Sequence, residues 1–313
     1  MRVAEHGHSG TAAATTSGSC HDWQVPHESP LPDAVSAPPL VSVVIPCYNA
    51  GDTLLETVKS ALSSAYERLE VIVVDDGSTD YATRVALDSL PACVVRVGQP
   101  NSGLPAARNA GVRRASGSFI LPLDADDLIE PDYVPEAVDA MTADDTLGIV
   151  YSRATKFGEV EGDWALPDFD VDRILVENCI FSCAMFRRDD WAVVGGYDET
   201  MRRGREDHDF WLRIISLGRG VRRLEGRYFH YRIRSSSMNH GYTREEYVQV
   251  YAQIFRNNVG LYAEHPEALI RHRFELMDEL NDLRHRYAIL ERARLRWPVA
   301  YAGLRRLRRL RGS

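Results

Sequence analysis

Cysteines are few in this sequence, and their spacing excludes two kinds of site. The five cysteines of the 313-residue chain are scattered, and they form no CxxC pair. The pattern therefore fits neither a cysteine-ligated metal site nor a disulfide framework. A chain of this length buries a substantial core without covalent cross-links. We predict a reducing compartment in which the cysteines act as small apolar residues.

Long apolar runs and an excess of positive charge are also missing. No stretch reaches the length of about 18 apolar residues that a membrane-spanning helix needs. The formal net charge of -8 argues against binding of the whole chain to nucleic acid. Arg2 is not followed by the apolar segment of a signal peptide. These absences predict a cytoplasmic protein.

Composition and periodicity divide the chain into four predicted segments. Residues 1–38 are rich in Gly, Ala, Ser, Thr, Pro and His without periodicity, so we predict a disordered leader. Its four histidines fit no defined metal site. Residues 39–262 carry the predicted globular domain, residues 263–297 a long helix, and residues 298–313 a basic amphipathic tail.

Short apolar runs alternate with helical periodicity at the start of the predicted domain. The runs are Leu40–Ile45, Leu69–Val74, Cys93–Val97 and Phe119–Leu123, and a helical pattern covers Thr53–Ala65. Wholly apolar strands that alternate with helices predict an α/β protein with a parallel sheet covered on both faces. Ligands of such sheets bind beyond the carboxyl ends of the strands.

Carboxylates follow two of these strands directly. Alternate residues of an extended strand point the same way, so we expect Asp124 and Asp126 to face one ligand. Closely spaced carboxylates can hold a hard divalent cation. Asp127 should point elsewhere and cap the following helix. Considered alone, this acidic triplet also fits ordinary turn chemistry.

Five motifs occur in a fixed order between about residues 40 and 235. They are VSVVIPCYN at 41–49, VVDDGSTD at 73–80, NSGLPAARN at 101–109, DADD at 124–127, and GGYDE with REDHDFWLR at 195–199 and 205–213. This order resembles the family 2 glycosyltransferases, an inverting group with the GT-A fold. The resemblance implies a Rossmann-like open mixed sheet with helices on both faces, to which a C-terminal helical extension is added here.

The resemblance also implies an activity. Members of the family move a sugar from a nucleotide-diphosphate donor, here expected to be a UDP-sugar, to a hydroxyl of a saccharide or lipid-linked acceptor. The transfer is a single displacement that inverts the anomeric centre. A role in cell-envelope, exopolysaccharide or glycolipid synthesis is an expectation from the family.

Site residues follow from the matched motifs. Asp207 would be the general base, Asp126 the main ligand of Mn²⁺ or Mg²⁺, and Asp124 a second ligand. Asp76 would accept a hydrogen bond from a base nitrogen, and Arg108 would approach the base or the diphosphate. The predicted nucleotide-sugar-binding residues are Pro46, Tyr48, Asp76, Gly103, Arg108, Asp124 and Ala125. In the loop after the base motif, Arg234 and Ser237 are candidate phosphate contacts, and a solvated loop is the alternative.

Two opposing effects act on the candidate base. Glu206, Asp207 and Asp209 crowd negative charge, which should raise the pKa of one carboxyl group. A helix that begins near Asp207 would oppose this shift through its dipole. The sequence leaves the balance open. A helix-capping role is the structural alternative for Glu206 and Asp207.

The C-terminal part carries two further patterns. A heptad-like seam within 264–297 comprises Leu269, Leu276, Leu280, Leu283, Tyr287 and Leu290. We interpret it first as a helix packed back on its own catalytic domain, with a homodimer as the alternative. From Arg292 onward there are eight arginines and no acidic residue. Residues 292–313 are thus predicted to contact an anionic membrane on the inner face of the cell membrane, with a solvated tail as the alternative.

Other classes of protein fit less well. A catalytically silent nucleotide-sugar-binding scaffold is the main alternative, but such a protein would be free to lose Asp124, Asp126 or Asp207. A nicotinamide dehydrogenase would show GxGxxG after the first strand, and none is present. A nucleotidyltransferase would carry a Gly-rich basic loop where residues 46–49 read PCYN.

Overall fold

The structure is a computed structural model that describes residues 37–234 and 243–296. Nearly all of the predicted leader, the whole predicted basic tail and Ser237 therefore lie outside the described residues. No helix in the described ranges has the length and apolarity needed to cross a bilayer.

The described residues form one nine-stranded sheet with helices packed against it. The strands are β1 (Val41–Cys47), β2 (Leu69–Asp75), β3 (Val95–Gly98), β4 (Phe119–Pro122), β5 (Leu128–Ile129), β6 (Leu147–Gly158), β7 (Gly162–Trp164), β8 (Met185–Arg187) and β9 (Gly220–Ile233). The helices are α1 (Gly51–Leu62), α2 (Tyr81–Asp88), α3 (Leu104–Arg114), α4 (Tyr133–Ala143), α5 (Val171–Ile174), α6 (Arg188–Val194), α7 (Glu206–Ile215), α8 (Arg244–Asn257), α9 (Val259–Glu264) and α10 (Pro266–Arg296). The order across the sheet is β3-β2-β1-β4-β8-β6-β9-β5, and β7 pairs with β6.

The first half of the sheet is parallel, as the apolar runs predict. β1 pairs in parallel with both β2 and β4, and β2 pairs in parallel with β3. All seven residues of β1 are buried, which is typical of a strand covered on both faces. Helix α3 lies so close to β1 that a Cβ atom at Gly111 would clash with Cγ1 of Val44.

The second half of the sheet makes it mixed. β8 pairs antiparallel with β4 and with β6, whereas β9 runs parallel to β6. β5 and β7 pair antiparallel with β9 and β6. The parallel sheet inferred from the apolar runs is therefore only half of the architecture, because the later strands lack the clean alternation with helices. The mixed sheet implied by the family resemblance is the one observed.

The predicted long helix is α10, but its predicted packing is wrong. The fully described seam side chains remain exposed: Leu269 by 42%, Leu276 by 52%, Leu280 by 46%, Leu283 by 62%, Tyr287 by 66% and Leu290 by 53%. Among the described residues, contacts with the rest of the chain are at the start of the helix, where Ala268 is buried and Arg271 lies 3.9 Å from Asp172 of α5. The seam does not pack back on the described part of the domain, because the helix continues beyond it.

Candidate active site

A cleft of about 810 Å³ opens at the carboxyl ends of β1, β2 and β4. It is the edge of the sheet where ligands of α/β proteins bind. The nine main site residues predicted from the motifs line it together: Pro46, Tyr48, Asp76, Gly103, Arg108, Asp124, Ala125, Asp126 and Asp207. The candidate phosphate contact Arg234 lines it as well. The first eight come from the parallel half of the sheet, its loops and α3, and Asp207 comes from the start of α7.

The loop after β1 is shaped by Asn49, which adopts a left-handed conformation with a φ of 50°. Asparagine tolerates this region better than most side chains. Its side-chain oxygen accepts a hydrogen bond of 2.9 Å from the backbone N–H of Thr79. The contact ties the loop after β1 to the turn after β2. It leaves Tyr48 half exposed at the mouth of the cleft.

Asp76 is buried, and it organises the loop that leads into α3. Its carboxylate accepts hydrogen bonds of 2.8 Å from the backbone N–H groups of Ser102 and Gly103, and one of 2.7 Å from the side chain of Gln99. Gly103 has a φ of 92°, a conformation that favours glycine. Asp76 thus has a structural task that its motif did not indicate. Its contact with a base stays a prediction.

Arg108 is buried between two carboxylates. Its Nη2 donates to Oδ1 of Asp124 over 2.6 Å, and its Nη1 donates to Oε1 of Glu206 over 2.5 Å. Burial acts to lower the pKa of Arg108, but Asp124 and Glu206 outweigh it and keep the guanidinium charged. We expected this side chain to approach a base or diphosphate. Both of its terminal nitrogens bind carboxylates in this structure, so the approach to a base or diphosphate stays a prediction. The sequence did not indicate the role of Glu206.

The acidic segment after β4 is a turn and not an extended strand. The backbone N–H of Asp127 donates to the carbonyl of Asp124 over 3.0 Å, which closes a turn over residues 124–127. Asp124 and Asp126 still line the same cleft, with side chains 26% and 37% exposed. Alternation along a strand is therefore not the reason why they share one ligand-facing surface.

Asp127 does not cap a helix, contrary to the prediction. It precedes β5, and its buried Oδ1 accepts a hydrogen bond of 2.9 Å from the backbone N–H of Arg232. Burial, followed by the charges of Asp124 and Asp126, raises the pKa of Asp127 well above its usual range. The third acidic residue therefore fastens the turn to β9.

The two exposed carboxylates fit a divalent cation. Burial, and next the charge of Asp124, raises the pKa of Asp126, although Arg234 lies 3.8 Å away and opposes the shift. An added positive charge would relieve this repulsion. Within the described ranges no group of three or more His, Cys, Asp or Glu side chains could hold a metal. Mg²⁺ at phosphate sites needs only one or two carboxylates, since phosphate and water oxygens complete the shell.

Asp207 lies in the first turn of α7 and faces the same cleft. The Nδ2 of Asn178 donates to its Oδ2 over 2.9 Å, and nothing in the sequence around Asn178 indicated this contact. The neighbouring carboxylates have other tasks. Glu206 binds Arg108, and buried Asp209 accepts hydrogen bonds of 3.0 Å from Asn257 and Asn258.

The predicted crowding of negative charge acts on Glu206. Burial is the main cause that raises the pKa of Glu206 to about 7, and Asp207 adds to the shift while Arg108 opposes it. No side chain caps α7 by a hydrogen bond. The structure therefore contradicts the helix-capping alternative for Glu206 and Asp207.

Four aromatic residues, Trp164, Phe181, Phe229 and Tyr231, also line the cleft, and we call them the aromatic wall. The ring centre of Trp164 lies 4.8 Å from that of Phe181 and 4.5 Å from that of Tyr231, while Phe181 and Phe229 are 5.6 Å apart. Sequence reasoning missed these residues, because they come from β7, β9 and the loop before β8. The wall gives the cleft an apolar section in addition to its carboxylates.

Comparison with known proteins agrees with the motifs and the geometry. The sequence pattern described as glycosyl transferase family 2 matches residues 42–194, and the pattern described as the N-terminal domain of galactosyltransferase matches residues 175–235. The putative glycosyltransferase EpsE of Bacillus subtilis is 31% identical over 200 residues, which cover 61% of this chain and 72% of EpsE.

Two larger relatives match this chain over only a small part of their own length. The hyaluronan synthase of Pasteurella multocida is 30% identical over 198 residues, which are 61% of this chain and 20% of that protein. The chondroitin synthase of Escherichia coli is 30% identical over 186 residues, which are 58% of this chain and 27% of that protein. The chain therefore spans about a quarter or less of the length of these synthases.

The fold has a solved counterpart. The crystal structure of S. aureus TarS 1–349 in complex with UDP-GlcNAc superposes with a TM-score of 0.61 at 19% sequence identity, over 74% of this chain and 72% of that one. At this identity the likeness concerns the fold alone. The ordered motifs, the mixed sheet and the match to EpsE together show that the chain belongs to glycosyltransferase family 2.

Proposed function

We propose that this chain transfers a sugar from a nucleotide-diphosphate donor, with UDP as the expected nucleotide, to a hydroxyl of a saccharide or lipid-linked acceptor. One observation carries the proposal. The Asp124–Asp126 pair and Asp207 line a single cleft, together with the loops after β1 and β2. A carboxylate pair that suits a cation and a separate carboxylate that suits a base are the two groups that such a transfer needs.

The donor would lie in the part of the cleft between the loop after β1 and the start of α3. Asp76 holds backbone N–H groups of residues 102 and 103 in place, so this wall is rigid before a ligand arrives. Asp126, with Asp124, would hold Mn²⁺ or Mg²⁺. When bound, such a cation supplies positive charge that stabilises a departing diphosphate.

The acceptor would approach from the side of Asp207. In a single displacement the acceptor oxygen bonds to the anomeric carbon while the bond to the diphosphate breaks, and Asp207 takes the hydroxyl proton. Asn178 would orient this carboxylate through its 2.9 Å hydrogen bond. Arg108 and Glu206 act indirectly, because they fix the start of α7 relative to the acidic turn.

The activities of the relatives and the ligands of the structural neighbour support this class of donor and product. Two relatives are a hyaluronan synthase and a chondroitin synthase, and TarS was crystallised with UDP-GlcNAc and with UDP. We propose a related role in polysaccharide or glycolipid synthesis. The aromatic wall, with Trp164 at its centre, would offer an acceptor saccharide an apolar surface.

Release of UDP tests the proposal directly. The full chain is incubated with a panel of UDP-sugars and Mn²⁺, with and without saccharide acceptors, and free UDP is measured. We expect at least one donor to yield UDP above a metal-free control. Binding of UDP-sugars without release across the panel of donors and acceptors would favour the silent scaffold instead.

A further inference from the structure

Helix α10 carries a leucine at every seventh position over four repeats. Leu269, Leu276, Leu283 and Leu290 are these residues, and they occupy the d positions of a heptad. Arg273, Leu280 and Tyr287 occupy the intervening a positions. A strict seven-residue repeat keeps one face of a helix against a partner and predicts a left-handed supercoil.

This seam has no cover from the rest of the described chain. Its six apolar members are between 42% and 66% exposed, although each is a large hydrophobic residue. The helix is 31 residues long and is anchored mainly near Ala268 and Asp172. Helices in proteins gain most of their stability by packing an apolar face against another element. The seam is thus a surface suited to a second helix.

The charges that flank the seam select the partner and its direction. Glu279 and Arg286 hold g positions, while Arg284 and Glu291 hold e positions. In a parallel, in-register pair each g residue faces the e residue five positions later on the other helix. Glu279 then faces Arg284, and Arg286 faces Glu291. Both contacts are attractive, and symmetry makes each occur twice.

An antiparallel pair of the same helices matches its charges less well. In an antiparallel pair, g positions face g positions and e positions face e positions. We consider the register in which Leu280 at an a position lies opposite Leu283 at a d position of the other helix. Glu279 would face Arg286, but Arg284 would face Met277 and Glu291 would face Ile270. Only half of the flanking charges would find an opposite charge. The pattern therefore favours two copies in the same direction.

We propose that residues 269–290 of two copies of this chain form a parallel, in-register, two-stranded coiled coil. Arg273 at an a position suits such a pair, because a polar group there fixes register and oligomeric state at some cost in stability. Both catalytic domains then lie at the same end of the coiled coil, where α10 begins. The proposal does not depend on the transfer reaction, so it can fail or hold independently of it.

The oligomeric state of the full chain tests the proposal. We expect a dimer by light scattering after size exclusion and by sedimentation equilibrium over a dilution series. The double variant Leu276→Asp with Leu283→Asp should be monomeric at every concentration where the parent is a dimer. Ile289→Asp is the matched control, since Ile289 is 52% exposed on the same helix but outside the a and d positions. It should remain dimeric. A monomeric parent, or equal loss in the control, would overturn the proposal.

Charge reversal and cross-linking test the direction. Glu279→Arg and Arg284→Glu should each weaken the dimer, and the two changes together should restore it. Leu290→Cys should form a disulfide-linked dimer under mild oxidation, in a background where Cys20 and the exposed Cys93 are serine. In an antiparallel pair the two positions would be roughly 25–30 Å apart at 1.5 Å rise per residue. A dimer that neither cross-links nor responds to the reversal contradicts the parallel arrangement.

Discussion

Arg108 and Glu206 are 98 positions apart in the chain, yet Nη1 of one lies 2.5 Å from Oε1 of the other. Both side chains are buried, and the same guanidinium also reaches Asp124. One cation therefore joins α3, the acidic turn after β4 and the first turn of α7. Because α7 carries Asp207, this contact sets where the candidate base stands relative to the acidic turn.

Loss of Arg108 should destabilise the fold strongly. Arg108→Met leaves the buried carboxylate of Glu206 without its partner, and breaking a buried pair from one side costs about 3–5 kcal/mol. Urea unfolding measures this cost. The control is Arg113→Met, whose side chain is 56% exposed and 3.6 Å from Glu199; exposed pairs contribute at most about 1 kcal/mol. Equal losses of unfolding free energy in the two variants would show that the buried ion pair contributes no more than the exposed one.

Asp207→Asn should lower the turnover of sugar transfer while UDP affinity stays nearly unchanged. The amide keeps the shape of the side chain but does not take the acceptor proton, and a general base contributes about 10²–10⁴-fold. Steady-state UDP release gives the rate, and calorimetric titration gives the affinity. Asp189→Asn, an exposed acidic residue in the first turn of α6, is the control. Full turnover by Asp207→Asn would remove this residue from the role of base.

Asp126→Asn should act on metal-dependent binding instead. Loss of one carboxylate ligand weakens the cation site, so we expect UDP affinity in the presence of Mn²⁺ to fall by roughly tenfold or more. Without metal, the variant and the parent should bind UDP alike. Titrations of both proteins with UDP, with and without Mn²⁺, make this comparison. An equal loss with and without metal would point to a direct contact of Asp126 with the nucleotide.

His208 should make the fold sensitive to mild acid. Its buried Nε2 lies 2.6 Å from the carbonyl of Ile174, and its buried Nδ1 has no hydrogen-bond partner among the described residues. Burial lowers its pKa below the ordinary value of 6.5, against the smaller effects of Ile174 and Asp207. The unfolded chain therefore binds the extra proton first. Stability is fully present above pH 6.5 and is lost as the pH falls toward the folded-state pKa.

Urea unfolding between pH 5 and 8 measures this dependence, whose slope for one group is at most about 1.4 kcal/mol per pH unit. His208→Gln keeps a hydrogen-bond donor but does not titrate, so its profile should be flatter below pH 6.5. The difference between the two profiles isolates this histidine from the carboxylates. Parallel profiles would mean that His208 is not the group responsible.

Much of the catalytic half of the fold was predictable from local pattern. The apolar runs around Val43, Val73 and Ile120 correspond to β1, β2 and β4, because strands buried on both faces must be apolar throughout. The motifs that end these strands, with those that begin α3 and α7, supplied the nine predicted site residues, and all nine line one cleft. The later strands were not predictable in the same way, since β6 and β9 carry partly exposed, charged segments.

The partners of individual charged side chains were the feature of the site that the sequence predicted least well. Asp127 and Arg108 stand within matched motifs, yet one fastens a turn to Arg232 and the other binds Glu206. Neither contact produces a local sequence pattern, because the two residues that form it are about a hundred positions apart. The aromatic wall around Trp164 was missed for the same reason.

The sequence by itself determined the family, the parallel strands, the set of residues that the structure gathers in one cleft and the long helix with its leucine repeat. These features depend on patterns within a few turns or one strand, where residue type and spacing are sufficient. Only the tertiary structure decided which two carboxylates bind Arg108, which carboxylates line the cleft, and that the rest of the described chain leaves the seam of α10 uncovered. Those outcomes depend on burial and on contacts between distant segments, which are properties of the folded chain rather than of any stretch of it.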